Sequence, residues 1–310
     1  MNTPSNAVPE IPLDAQAVAP AAMPATRPLY WSVRRELWEN RSITIAPLAV
    51  AGVILFGFLI GIVHPSANSR AAWANPAHQR ALIHMPYVVA AALIMATAFI
   101  VGVFFCLDAL YGERRDRSIL FWKSLPVSDL STVLAKAGIP LAILPLVTFA
   151  IIVATQMIML PLGALVLPRY GLAAAVLWAQ LPLFKMWLGL LYALATLALW
   201  HAPIYAWLLL VSGWARRSTF LWAVLPLLAI GVAEKIAFNT LHFAHLLNYR
   251  FVGWFTRAFD PRLMGGAPMD PLQALTPGKF LSTPGLWIGL LFAAAFLAAA
   301  VRLRRYRGPI

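Results

Sequence analysis

Apolar and polar residues do not alternate along most of this chain. The apolar residues run together in long blocks, and the polar positions collect between them. A helix rises 1.5 Å per residue, so crossing a hydrocarbon core of about 30 Å takes roughly 20 mostly apolar residues. The blocks 43–63, 87–110, 137–160 and 219–237 each meet that length and predict one membrane-spanning helix apiece. A fifth, 284–301, is slightly short, but Arg302, Arg304, Arg305 and Arg307 follow it and can anchor its end by snorkelling. The block 183–214 is too long for one ordinary span and too short for two with a turn, and Pro203 interrupts its helix hydrogen bonds in the middle.

Basic residues favour one crossing for that block over two, with a span plus a re-entrant segment as the alternative. With 183–214 as one tilted, Pro-kinked crossing, the chain has six spans and both ends on the same side. The arginines that crowd short connections (Arg34, Arg35, Arg41, Arg114, Arg115, Arg117, Arg216, Arg217 and those after residue 301) then all fall on the cytoplasmic side. Two crossings there would send Arg216, Arg217 and the basic C-terminus outward, against the positive-inside bias. The expected fold is therefore all-α: a polytopic membrane protein with six transmembrane helices, cytoplasmic N- and C-termini, and one membrane domain over 28–310. Residues 1–27, rich in Pro and Ala and without an apolar run ahead of a cleavage site, read as a disordered cytoplasmic tail.

Composition agrees. The chain is 61% hydrophobic and 11% charged, against about 25% charged in ordinary soluble domains, too little polar surface to wet a globule of this size. Its net charge of +13 is placed at the ends of apolar blocks, where it orients the chain in a bilayer, and nucleic acid is not expected as a partner. The single cysteine, Cys106, lies inside a span and cannot form an internal disulfide.

Two polar segments carry candidate chemistry. Ahead of the first span, Tyr30, Val33 and Leu37 share one helical face, flanked by Trp31 and Trp38, with Arg34, Arg35 and Glu39 opposite. That pattern predicts a helix lying in the membrane interface, with Arg34, Arg35, Glu36, Trp38 and Glu39 as its polar and aromatic residues. Between the second and third spans, Glu113, Arg114, Arg115, Asp116 and Arg117 are followed by Ile119, Leu120, Phe121 and Trp122, then by Pro126, with Ser128 placed to cap a helix starting at Asp129. This describes either a charged and aromatic helix, break, helix element that a soluble partner could push, or a solvated loop whose arginines fix topology.

The run Leu110-Tyr-Gly-Glu-Arg-Arg-Asp-Arg-Ser-Ile-Leu-Phe-Trp-Lys-Ser-Leu-Pro-Val-Ser-Asp129 resembles the cytoplasmic loop of type-2 ABC exporter permeases, where Glu-Arg precedes a short apolar stretch and Leu-Pro-Val-Ser. Arg35-Glu-Leu-Trp-Glu39 is similar to the interfacial connecting helix of that family, and the likeness extends through Trp200-His-Ala-Pro and Leu221-Trp-Ala-Val-Leu-Pro226 over roughly 28–310. The resemblance implies a bacterial inner-membrane permease subunit working as a homodimer or paired permease. It also implies a separate ATP-binding subunit, which would hold ATP and magnesium and dock at the 111–136 loop. By position, Glu113, Arg114, Arg117, Ile119, Phe121, Trp122, Pro126, Val127 and Ser128 become the coupling candidates. The arginines would meet acidic groups of the ATPase, and the apolar side chains would fill its cleft.

No nucleotide site is expected in this chain itself. Its only Gly-Lys pair, Gly278-Lys279, is followed by Phe280 and lacks the P-loop's first glycine, since Gln273 stands there. Hydrolase motifs are missing as well, and Ser212 and His201 stand too far apart on one helix to touch. His242 and His245 could form a metal pair but lack an evident third ligand, so neither a metal nor another cofactor is expected. Gly57 and Gly61 form a G-x-x-x-G in the first span, a weak pointer to helix association. The rival reading, a stand-alone ion-coupled transporter or an anchoring or immunity protein, would rest on an intramembrane titratable residue such as Lys185 or Glu234.

Overall fold

A computed structural model describes residues 26–64, 76–124, 127–165, 168, 173, 177, 181–260 and 272–307. The expected tail, as far as residue 25, and Pro126 lie outside the described residues. The described residues form helices joined by short turns, and no strand is seen among them beyond an isolated antiparallel bridge between Phe259 and Leu275. In chain order the helices are α1 (Thr26–Glu39), α2 (Ser42–Val63), α3 (Pro76–Ala109), α4 (Tyr111–Arg115), α5 (Ser118–Ser124), α6 (Asp129–Gly138), α7 (Leu144–Ala164), α8 (Leu183–Trp214), α9 (Thr219–Phe238), α10 (His242–Ala258), α11 (Pro277–Leu281) and α12 (Pro284–Tyr306). Among the described residues, six helical stretches are long and apolar enough to cross a membrane: α2, α3 with α4, α6 through α7, α8, α9 and α12.

The ambiguous block is one uninterrupted helix. α8 runs for 32 residues through Pro203, because a proline in a bundle interior loses one backbone hydrogen bond while its neighbours hold the helix in place. It is the hub of the fold: 67% of its most apolar stretch is buried, against 11% for α2 and 6% for α9. Small residues let α12 approach it, with Ala202 and Ala206 meeting Ala293, the kind of contact that drives helix association where lipid is as apolar as the side chains.

The third span is assembled from pieces. Ser128 caps α6 by accepting the backbone N–H of Ser131 at 3.0 Å, and a π-helical segment, Ile139–Ile143, joins α6 to α7. Pro140 lies inside this wide turn and Pro145 just after it. Neither has a backbone N–H to donate, so the regular i to i−4 ladder could not be completed there in any case.

Pairings between helix ends fix the alternation of the bundle. At one end Gln156 bonds both the Tyr87 carbonyl and the Trp187 indole. Further along, α10 packs on α8 and α12, taking Trp200 Nε1–H on the Arg250 carbonyl at 2.9 Å and placing the His201 ring against the Phe251 carbonyl. Tyr249 and Arg250 enter the notch made by Gly285 and Gly289 of α12, where a Cβ on Gly285 would stand 2.6 Å from the Tyr249 hydroxyl. Glu234 of α9 caps α10, accepting from Thr240 Oγ1 and from the backbone N–H groups of His242 and Phe243 at 2.6–2.8 Å. At the opposite end meet α1, the start of α6, the segment α4–α5, and the last turns of α8 and α12.

Candidate functional site at the charged end of the bundle

Six side chains from four parts of the chain form one ion-pair cluster at this end. Glu113 of α4 is its centre: Oε1 meets Arg35 Nη2 at 3.0 Å and Lys136 Nζ at 3.2 Å, while Oε2 meets Arg304 Nη2 at 3.1 Å. Glu36 adds a second carboxylate, with Oε1 2.7 Å from both Lys136 Nζ and Arg35 Nη2. Asp129, at the first turn of α6, takes Arg304 Nη1 at 2.6 Å. Within the buried and half-buried part of the cluster three cations thus face three carboxylates and balance; exposed Glu39 reaches Arg35 Nε from the rim at 3.4 Å. The inner part is also withdrawn from solvent, since Glu36, Lys136, Arg304 and Glu113 are 2%, 2%, 5% and 8% exposed. Burial, the largest single influence on Arg35, pulls its guanidinium down, but Glu36, Glu39 and Glu113 together outweigh it and hold the group above its ordinary value.

Local helix chemistry explains why these residues meet. Glu36 follows Val33 by three positions and precedes Leu37, so the face of α1 that packs on the core carries its carboxylate inward as well. Lys136 and Asp129 lie two turns apart on α6 and reach different partners, Lys136 toward α1 and Asp129 toward α12. Arg304 stands in the last turn of α12, where a cation also complements the helix dipole.

The segment α4–α5 is tied to the bundle by further bonds. Arg114 Nη1 donates to the carbonyls of Gly213 and Ala215 at 2.8 and 3.1 Å, satisfying acceptors that the end of α8 leaves open. Arg307 Nη1 does the same for Trp214 at 2.8 Å. Lys123 Nζ donates to the carbonyls of Arg305 and Arg307, each at 3.3 Å. The Arg35 guanidinium lies over the Trp122 ring, 3.7 Å from its centre, which joins α1 to α5. Between α4 and α5, Arg117 adopts a left-handed backbone with φ 58°, a conformation that costs a residue with a side chain about 1 kcal/mol.

The sequence-level coupling candidates therefore divide by position. Glu113, Arg114 and Ile119 are buried and occupied with contacts inside this chain. Trp122 is half-buried under Arg35. Arg117 and Phe121 face outward; Phe121 is 60% exposed, with Leu120 beside it at 58%. Ser128 is exposed and spends its hydroxyl on the α6 cap, and Val127 is half-buried beside it. Sequence reasoning left Leu120 out of the outward set and Lys136, Asp129 and Arg304 out of any site. Nothing in their local sequence names partners 100 to 191 residues away.

The interfacial helix needs one correction. Val33 and Leu37, expected to face lipid, pack against the protein core around Ile43 and Phe105. The reason is the inward Glu36: the ion pair with Lys136 fixes the rotation of α1, and Val33 and Leu37 follow it. Arg34, Trp38 and Glu39 stay exposed, while Arg35 is half-buried.

The remaining sequence candidates take other places. Ser212 donates to the Leu209 carbonyl at 2.8 Å, and His201 Nδ1 lies 2.9 Å from that of Leu197, so they do not meet. Added Cβ atoms on Gly52, Gly57 and Gly61 would find nothing within 4 Å, so this stripe contacts no described residue of the same chain. Among the described residues, no three His, Cys, Asp or Glu side chains gather as a metal site would require. Comparison with known proteins gives no match to a family model, a curated protein or a solved structure.

Proposed function

We propose that this chain is the transmembrane permease subunit of an ABC-type exporter in a bacterial inner membrane, working as a homodimer or paired permease. A separate ATP-binding subunit, holding ATP and magnesium, would dock at the 111–136 loop and drive it. The charged end of the bundle is then cytoplasmic, in keeping with the concentration of short-loop arginines there.

One observation carries the reading. A short charged and aromatic segment presents Arg115, Arg117, Leu120 and Phe121 to solvent, while its inward side is bonded to α1, α6, α8 and α12 together. A load applied to the outward side reaches four helices through ion pairs and carbonyl caps, whereas a loop serving only as a topology signal needs no such attachments. In this mechanism the ATPase shifts the balance between inward- and outward-facing arrangements because its nucleotide-bound form binds the coupling segments differently from its empty form. Glu113 and Arg114 act as positioning residues, and Leu120 and Phe121 enter the partner's cleft as apolar anchors.

The test is purification of the chain from its native membrane in mild detergent, with mass spectrometry of what accompanies it. A stoichiometric P-loop ATPase is expected, lost on combined Leu120→Ser and Phe121→Ser substitution while the variant keeps the wild-type elution profile. A folded wild-type chain without an ATPase, or a double-serine variant that retains it fully, overturns the reading.

A further inference from the structure

The rotation of α1 leaves an outward stripe that the core does not use. Trp31, Arg34, Trp38 and Arg41 follow at intervals of three, four and three residues, which places them along one side of the helix and its exit turn. All four are exposed, Trp31 by 58% and Trp38 by 71%. The Arg34 guanidinium rests 5.2 Å from the Trp31 ring centre, and no ion pair is recorded for Arg34 or Arg41 among the described residues. The acids of α1 are engaged elsewhere, Glu36 inward with Lys136 and Glu39 with Arg35. The stripe therefore alternates indole and guanidinium with no carboxylate in it.

Its position selects the partner. α1 passes directly into the spanning helix α2 at Ser42, so the stripe stands at the level where hydrocarbon gives way to headgroups. Indole rings favour that level, and each arginine there gains about 1 kcal/mol, roughly a fivefold preference, from an anionic leaflet. We infer that this stripe is a binding surface for anionic phospholipid, with Arg34 and Arg41 on headgroup phosphates and Trp31 and Trp38 seated between neighbouring lipids. Charge complementarity and depth favour lipid over a protein partner. The inference rests on the chain crossing a membrane and not on the ATPase.

The experiment uses the full chain in nanodiscs of four parts phosphatidylcholine to one part phosphatidylglycerol, with a trace of photoactivatable phosphatidylglycerol or phosphatidylcholine, and maps adducts by peptide mass spectrometry. Adducts between residues 29 and 41 should favour the phosphatidylglycerol probe. Arg34→Gln with Arg41→Gln should reduce that preference by at least about fivefold while adducts near Arg216 and Arg217 persist, and the paired Lys substitutions should keep it. An unchanged preference in the Gln variant overturns the inference. So does a wild-type stripe without adducts. No ATPase is present, so failure here leaves the proposed function standing, and the reverse also holds.

Discussion

Replacing Glu113 by Gln is the most direct probe of the charged cluster, because it changes charge and leaves shape almost untouched. Leaving aside exposed Glu39, which water screens, the buried part of the wild-type cluster holds Arg35, Lys136 and Arg304 against Glu36, Glu113 and Asp129 and is neutral. The variant carries one uncompensated positive charge among side chains that are mostly out of water. Each of the three contacts to Glu113 lies at 3.0–3.2 Å, where a unit-charge pair at an effective dielectric of 20 interacts by roughly 5 kcal/mol before desolvation is subtracted. Removing one partner from a buried pair has a net cost of about 3–5 kcal/mol. At about 2 °C per kcal/mol or somewhat more for a chain of this size, thermal unfolding in detergent should fall by roughly 6–10 °C. A second substitution separates charge from packing: Glu113→Gln with Lys136→Met restores neutrality and should recover a substantial part of the loss. A single variant within about 1 °C of wild type, or a double variant as unstable as the sum of its parts, would refute the account of Glu113 as the electrostatic centre.

Arg114→Ala removes two charge-assisted bonds to the end of α8, each worth about 1.5–3 kcal/mol. Hydrogen exchange at residues 211–217 should rise at least tenfold, and unchanged protection there would count against the cap. Gly289→Ala puts a methyl group where Arg250 Nη2 now lies, an overpacking cost of about 1–3 kcal/mol. It should expose α10 amides to exchange, and should do so far less in an Arg250→Ala background; equal effects in both backgrounds would contradict the notch. Arg117→Ala keeps the left-handed strain and removes the cation, whereas Arg117→Gly removes both. If the cation matters for docking, the two variants should lose ATPase binding equally while the Gly variant is the more stable by about 1 kcal/mol.

The spans were legible because the bilayer imposes a length that the sequence must meet as a continuous apolar run. Even α8 could be assigned, since the arginines at 216 and 217 have only one favourable side. The cap at Ser128 was legible for the same local reason, a hydroxyl just ahead of a helix start. The π turn at Ile139–Ile143 was not, because Pro140 and Pro145 mark an interruption without naming its form. The candidate site was half legible. Its location on the 111–136 segment follows from composition, but which side chains turn inward depends on Lys136, Glu36 and Arg304, whose contacts exist only after the helices pack. The expected lipid face of α1 failed on the same ground: an apolar stripe reads alike whether oil or protein covers it, and the buried Glu36 decided between them.

The neutrality of the cluster also bears on an earlier stage in the life of the chain. While the hairpins are being inserted, Arg35, Lys136 and Arg304 are free cations next to unpaired spans, and they help retain their connections on one side. Acidic residues weigh little in that decision, so Glu36, Glu113 and Asp129 can sit among them without blurring the topological signal. Once the helices assemble, the same cations are matched by those acids and stop being surface charge. Carboxylate-neutralising variants should therefore insert in the wild-type orientation and show their defect only afterwards, as a less stable assembled bundle. One set of side chains would thus serve biogenesis as markers of orientation and the mature protein as an interior polar joint.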